Sequence, residues 1–356
     1  MALNPSDLIR PEILLLQPYH VADASGMIKL DAMENPYPLP DDLRQLAASL
    51  TRDTPLNRYP DPQAAQLRRA IRQHMAVPDG AQVLFGNGSD EIIQLIAMAV
   101  ARPGATLLAP EPSFVMYRMI ATFCGLRYVG VPLTESFSLD PDEMVLRIEQ
   151  YEPAVVFIAY PNNPTGTLFD LEAMLRVVNA APGLVVVDEA YHAFAGSSFM
   201  GELPRHRNLL VMRTLSKLGL AGLRLGFVAG APQWLGEIEK LRLPYNINSL
   251  TQAIATRLVD NVGRLNEQAA AIVTARGQLA RALADLPDLR IWQSHANFIL
   301  FRVPNGPRTF DRLKRRGVLI KNLHGAHPML DNCLRVTVGT PDENVAFLQA
   351  LRDSLA

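Results

Sequence analysis

Lys217 is the residue of this chain best placed for covalent chemistry. It follows an apolar run over 209–215 and Ser216, and it precedes a loop holding Gly219, Gly222 and Arg224. A lysine at a strand end, partly desolvated and beside a cation, loses preference for its ammonium form. Imine formation with an aldehyde needs that neutral amine. A solvated loop lysine is the competing reading, and only the company Lys217 keeps argues against it. Asp188 is the first such companion. It closes the run Leu184–Val185–Val186–Val187, where a carboxylate is costly unless a cation pairs with it. A protonated pyridine nitrogen is one such cation, and the pairing keeps the ring an electron sink. An ATPase strand ending in Asp188–Glu189 would look similar, but it requires a GxxxxGK[ST] loop, and the sequence has none.

Three further stretches carry polar groups at the ends of apolar runs. Gly86–Asn87–Gly88–Ser89–Asp90–Glu91 opens an apolar helix. Glycines there allow close backbone approach, and free amides at a helix start bind phosphate. Ser89 is expected to cap that helix and to donate to a phosphate; an ordinary capped helix fits the same letters. Tyr160–Pro161–Asn162–Asn163–Pro164–Thr165–Gly166 ends another run. Asn163, standing before a proline, is biased to an extended backbone that presents its amide, although a plain turn is also consistent. Arg335 lies inside the apolar run 333–338. A guanidinium there suits a buried carboxylate or phosphate, or equally an internal salt bridge.

Elements must hold these residues. Short apolar runs at 83–85, 105–109, 126–131, 154–160, 184–187, 209–213 and 223–229 alternate with helical stretches. They are bounded by Gly, Pro, Asp or Asn and read as strands buried on both faces of a mostly parallel α/β sheet. Residues 41–50 and 63–75 read as helices. Residues 232–286 read as long helix, followed by strand-like runs at 289–303, 318–323 and 334–338. A last helix begins at Pro341–Asp342–Glu343. The expected layout is an N-terminal arm over 1–30, a large domain over 31–245 and a small α+β domain over 246–356 that packs with the N-terminal segment.

The chain has 356 residues, 49% of them hydrophobic, and a formal net charge of -1. That composition is globular, and it gives no basis for a nucleic-acid partner or an anionic membrane surface. Two cysteines far apart argue against a disulfide framework or a metal centre. No signal peptide is read at the start and no apolar stretch is long enough for a bilayer, so a cytoplasmic protein is expected.

Together these residues resemble the class II branch of the fold-type I pyridoxal-phosphate aminotransferases. The resemblance rests on Asn163–Pro164–Thr165–Gly166, Asp188–Glu189–Ala190–Tyr191, Thr214–Leu215–Ser216–Lys217, Leu223–Arg224–Leu225–Gly226 and Arg335, in that order over more than 250 residues. Glu34–Asn35–Pro36–Tyr37, Asn57–Arg58–Tyr59–Pro60–Asp61–Pro62, residues 213–225 and residues 333–340 are similar to the histidinol-phosphate aminotransferases within that branch. The resemblance implies a large domain with a mixed, mostly parallel sheet, a smaller α+β domain and a homodimer. It implies pyridoxal 5'-phosphate held by Lys217, with Asp188 on the ring nitrogen, and Asn163 and Tyr191 on the phenolic oxygen. Ser89, Asp90, Thr214, Ser216 and Arg224 would bind the cofactor, mostly at its phosphate. Tyr59 would reach that phosphate from a second subunit, and Phe114 would stack on the ring. Arg335, Lys321, Asn35 and Tyr19 would meet the substrates, L-histidinol phosphate and glutamate or 2-oxoglutarate.

The sequence departs from that pattern near the substrate. Asp31–Ala32–Met33 replaces an Asn-rich stretch, Pro38 a frequent glycine, Phe114 a frequent tyrosine and Lys321 a frequent arginine, and the loop after Lys217 is about a residue shorter than in some members. An aromatic amino acid aminotransferase and a decarboxylase of a phosphorylated amino acid share the same motifs. The sensing half of a transcription regulator would need a helix-turn-helix domain, for which the chain has no room.

Overall fold

The computed structural model describes residues 3–18 and 21–355. All seven apolar runs of the first two-thirds form strands of one sheet: β1 Gln82–Asn87, β2 Thr106–Glu111, β3 Arg127–Pro132, β4 Val155–Ala159, β5 Leu184–Asp188, β6 Leu209–Thr214 and β7 Leu225–Gly230. Their order is β1-β7-β6-β5-β4-β2-β3. β7 runs antiparallel to both neighbours, and the remaining pairs are parallel. Every residue of β4, β5, β6 and β7 is buried. Such strands need apolar, largely β-branched sequence on both faces, as the continuous Val–Ile–Leu runs provide.

Alternate side chains of the sheet feed two cores. Leu84, Leu107, Phe157, Val186, Met212 and Val228 pack on one face with helices α1 (Ser89–Val100) and α2 (Val115–Cys124). Phe85, Leu108, Ile158, Val187, Val211 and Phe227 face the other way, into a core shared with the rest of the chain. Period-two alternation therefore persists even where both faces are apolar.

The second, four-stranded sheet is antiparallel: β8 Arg290–Ile291, β9 Phe298–Arg302, β10 Lys321–Asn322 and β11 Cys333–Thr337, in the order β10-β11-β9-β8. Residues 232–286 are not one long helix. They form Pro232–Glu239, Ser249–Asp260 and α3, Val262–Ala284. Pro244 and Tyr245, the latter at a φ of 61°, interrupt the helical path between the first two. Ser249–Asp260 packs against the helices Ala65–His74 and Asp41–Asp53. The last helix, Pro341–Leu355, starts where expected, and the structure adds a capping box: Glu343 accepts from the Thr340 amide at 2.8 Å and its own amide donates to the Thr340 hydroxyl at 3.3 Å.

The arm is only partly free. Arg10 donates to the carbonyls of Thr122 and Phe123 at the end of α2, and Ile28–Lys29 pairs in parallel with Val318–Leu319. Among the described residues no helix is long and apolar enough to cross a membrane.

Candidate active site

The carboxyl ends of β1, β2, β4, β5 and β6 and the start of β7 meet at one edge of the large sheet, the edge where open α/β sheets bind ligands. Asp188 ends β5 there, with 4% of its surface exposed. It accepts from the Tyr117 hydroxyl at 2.8 Å and from the Ala190 amide at 3.1 Å. Burial pushes its pKa up to about 7, against the lowering effect of those two bonds. Among the described residues no lysine, arginine or histidine comes within 4.0 Å of it. A carboxylate kept this dry, and held by only two neutral donors, is matched to an incoming cation.

Lys217 follows β6 in a short turn, half-buried, its Nζ donating to the Ala32 carbonyl at 3.0 Å. Burial and, after it, the Arg335 charge bring its pKa down to about 8. The amine is therefore far more available near neutrality than an ordinary lysine.

Ser89 and Asp90 begin α1. The residue capping the helix is Gly88, at a φ of 82°, and no side chain caps it, so the expectation that Ser89 would cap is corrected. Ser89 is instead the first helical residue, and among the described residues neither its amide nor that of Asp90 has an acceptor. Arg224 adopts the left-handed region, φ 49°, and brings its guanidinium over Gly88; a Cβ there would lie 2.6 Å from it. The same guanidinium is 3.4 Å from the Ser216 hydroxyl and 4.0 Å from Asp90. Thr214 donates to the Ser216 hydroxyl at 2.9 Å and accepts from its amide at 3.1 Å, fixing the turn. Gly226 lets this assembly close, because a Cβ on it would sit 2.7 Å from the Gly88 carbonyl carbon. Two free amides, a hydroxyl and a guanidinium make a donor set for a phosphate. One acceptor sits among them: Asp90 Oδ1 is buried without a partner, and burial raises that carboxyl's pKa.

Asn163 connects the two sheets. Its amide nitrogen donates to the Tyr191 hydroxyl at 3.1 Å, and its oxygen accepts from Arg335 at 2.6 Å. Tyr191 also donates to the Met33 sulfur at 3.1 Å and meets Phe298 edge-on at 5.2 Å. Arg335, on β11, donates to the Asp31 carbonyl at 3.1 Å and stacks over Phe298. Lys321 on β10 is its direct register partner, and its own pKa is lowered by burial and then by Arg335. Both cations line a cleft of about 420 Å³ with Met33, Phe114, Asn163 and His327. Phe114 sits at the head of α2, edge-on to Tyr117 at 5.6 Å.

Two predicted residues stand apart from this cluster. Asn35 donates to Gln268 on α3 at 3.0 Å and accepts from the Tyr37 amide at 2.9 Å, beside Gly219. Tyr59 is 81% exposed and stacks on Tyr245 at 4.5 Å. Tyr19 lies outside the described residues. Tyr117 was not foreseen: a hydroxyl on the apolar face of α2 needs a partner, and that was the available signal. His327, Glu111, Arg118 and Tyr128, also in the cleft, gave no local signal at all.

A lysine at one strand end, a desolvated carboxylate at the next and a phosphate-type cradle beside them define an aminotransferase scaffold. The chain belongs to the family "Aminotransferase class I and II", whose pattern matches residues 25–351. It is 56% identical to the Histidinol-phosphate aminotransferase 2 of Nitrosococcus oceani, over 97% of this chain and 96% of that one. It is 53% identical to the histidinol-phosphate aminotransferase of Chromobacterium violaceum, over 99% of each. Its fold matches the histidinol-phosphate aminotransferase of Sinorhizobium meliloti in complex with pyridoxal-5'-phosphate at a TM-score of 0.88, with 23% identity over 98% of this chain and 97% of that one. The L-threonine-O-3-phosphate decarboxylase of Porphyromonas gingivalis shares the fold at a TM-score of 0.80, with 20% identity over 92% of this chain and 99% of that one.

Proposed function

We propose that the chain is a pyridoxal-phosphate aminotransferase exchanging the amino group between L-histidinol phosphate and 2-oxoglutarate in L-histidine biosynthesis. It would act in the cytoplasm as a homodimer. The substrate reading is carried by the Arg335–Lys321 pair, two cations side by side in a cleft that abuts Asn163. An α-carboxylate needs one of them; a doubly charged phosphate uses both. The 56% and 53% identical relatives support the same substrate. Two free cysteines fit a reducing compartment.

When bound, pyridoxal phosphate supplies the aldehyde that accepts an amino group and a ring that withdraws electrons from it. Lys217 Nζ would hold that aldehyde, and its amine would serve as the base for the proton of the substrate Cα. The Asp188 carboxylate would hold a proton on the ring nitrogen, and Tyr117 and the Ala190 amide fix its orientation. Asn163 and the Tyr191 hydroxyl would serve the ring oxygen, and Phe114 would pack against the ring. The Ser89 and Asp90 amides, Ser216 and Arg224 bind the phosphate, with Thr214 orienting Ser216. Tyr59 of a second copy would complete that cradle, and Tyr19 would close the substrate side.

The reading is tested by single-turnover absorbance of the cofactor-loaded protein with L-histidinol phosphate, L-glutamate, L-phenylalanine and L-tyrosine. Fast conversion by the first two and slow conversion by the aromatic amino acids is expected. A faster aromatic reaction sinks the substrate assignment. Release of carbon dioxide with an amine product would instead place the chain with the decarboxylases.

A further inference from the structure

The cleft holding Arg335 and Lys321 also contains a half-buried histidine, His327, with a cluster of Glu111, Arg118 and Tyr128 beside it. The ring's Nδ1 accepts the Met329 amide at 3.2 Å, as the cap of a short turn. A neutral ring whose Nδ1 lone pair is used in this way carries its proton on Nε2, so it presents a donor and no second acceptor. Burial lowers its pKa; the nearby Glu111 carboxylate works against that and Arg118 with it, so the ring stays neutral at neutral pH. Glu111 is itself engaged: Arg118 donates to both its oxygens at 2.8 and 3.0 Å, and the Tyr128 hydroxyl to one at 3.0 Å.

An aminotransferase must accept two amino donors at one site. Under the reading above, on which this inference rests, one end of each donor is anionic and falls to Arg335 and Lys321. The other ends differ: a carboxylate in glutamate, a neutral imidazole in histidinol phosphate. What they share is a hydrogen-bond acceptor, since a carboxylate oxygen and the unprotonated imidazole nitrogen both take a proton donor. We propose that His327 is a specificity residue that donates Nε2–H to the distal acceptor of both substrates. A neutral donor suits the pair, because a fixed cation would favour glutamate and a carboxylate would reject it.

The experiment is the single-turnover reaction of the cofactor-loaded protein carrying His327→Ala or His327→Asn. Asparagine retains an acceptor for the Met329 amide but lacks the reach of the imidazole. The donors are L-glutamate, L-histidinol phosphate and L-2-aminobutyrate, which has the same α-carboxylate and no distal acceptor. Apparent affinity for glutamate should fall roughly 10–100-fold and for histidinol phosphate roughly 3–10-fold in both variants, with 2-aminobutyrate changed less than about twofold. An equal loss for all three donors would show that His327 only holds its own turn, and an unchanged glutamate reaction would also overturn the proposal. Should the unaltered protein fail with histidinol phosphate, the substrate reading falls, yet glutamate against 2-aminobutyrate still judges His327.

Discussion

At the scale of single residues, the site is built from groups whose proton affinities burial has moved toward neutrality. Asp188 and Lys217 are the clearest cases, and each yields a measurement. The Asp188 pKa is raised from 3.8 to about 7 in the fold. The folded state therefore binds the extra proton between those values, and stability is lost as pH rises across that window. Asp188→Asn should melt higher than the parent at pH 8 without cofactor, the gap closing toward pH 4, because Tyr117 can turn its hydroxyl to suit an amide. Turnover of the same variant should drop on the order of 10²–10³-fold. Lys217 runs the other way, lowered from 10.5 to about 8. Its reaction with a small aldehyde in cofactor-free protein should rise with pH through a midpoint near 8 and level off about one to two pH units higher; a midpoint near 10 would mean that the amine is solvated. Both residues were legible in the sequence because a charged group closing an apolar run is physically anomalous. Tyr117, which orients Asp188, was less so, since a tyrosine in an amphipathic helix is ordinary until its hydroxyl finds a partner.

At the scale of elements, the seven strands were readable because each is a mainly apolar stretch, and full burial of β4, β5, β6 and β7 leaves no polar alternation to confuse there; the edge strand β3, exposed at both ends and mostly half-buried between, departs from the expected burial on both faces. Residues 318–323 show what such reading misses. They look like one strand, but Val318–Leu319 pairs with Ile28–Lys29 while Lys321–Asn322 joins Cys333–Thr337. Nothing local tells two pairing partners apart; one lies near the start of the chain and the other only a short loop downstream. The helical stretch 232–286 failed for a related reason, since good helix formers (Leu, Glu, Lys and Arg before, Ala, Leu, Arg and Gln after) stand on both sides of the break at Pro244. The phosphate cradle is likewise a contact between elements: the start of α1 rests against β7 only because Gly226 has no side chain. Gly226→Ala should push the helix start outward, lower stability by about 1–3 kcal/mol and weaken cofactor retention more than it weakens secondary structure. Equilibrium dialysis of the cofactor alongside circular dichroism separates the two effects.

At the scale of the whole molecule, the exposed Tyr59–Tyr245 stack, flanked by Leu56 and Leu243, is the kind of apolar surface that a partner covers. If Tyr59 serves the neighbouring copy's cradle, co-expressed Lys217→Ala and Tyr59→Ala chains should regain activity that neither shows alone. One site of the mixed dimer then carries both defects and the other carries none. No recovery would place Tyr59 in its own subunit's site or in none. The division of labour between the two sheets has a temporal side as well. Asp188, Lys217 and Arg224 are all present once the large sheet ends at Gly230, whereas Arg335 and the Thr337 amide, which donates to the Leu30 carbonyl at 2.9 Å, come a hundred residues later. The start of the chain must therefore wait through nearly all of synthesis for its strand partner. A nascent chain on the ribosome would own a place for the cofactor's phosphate well before it had any grip on a substrate.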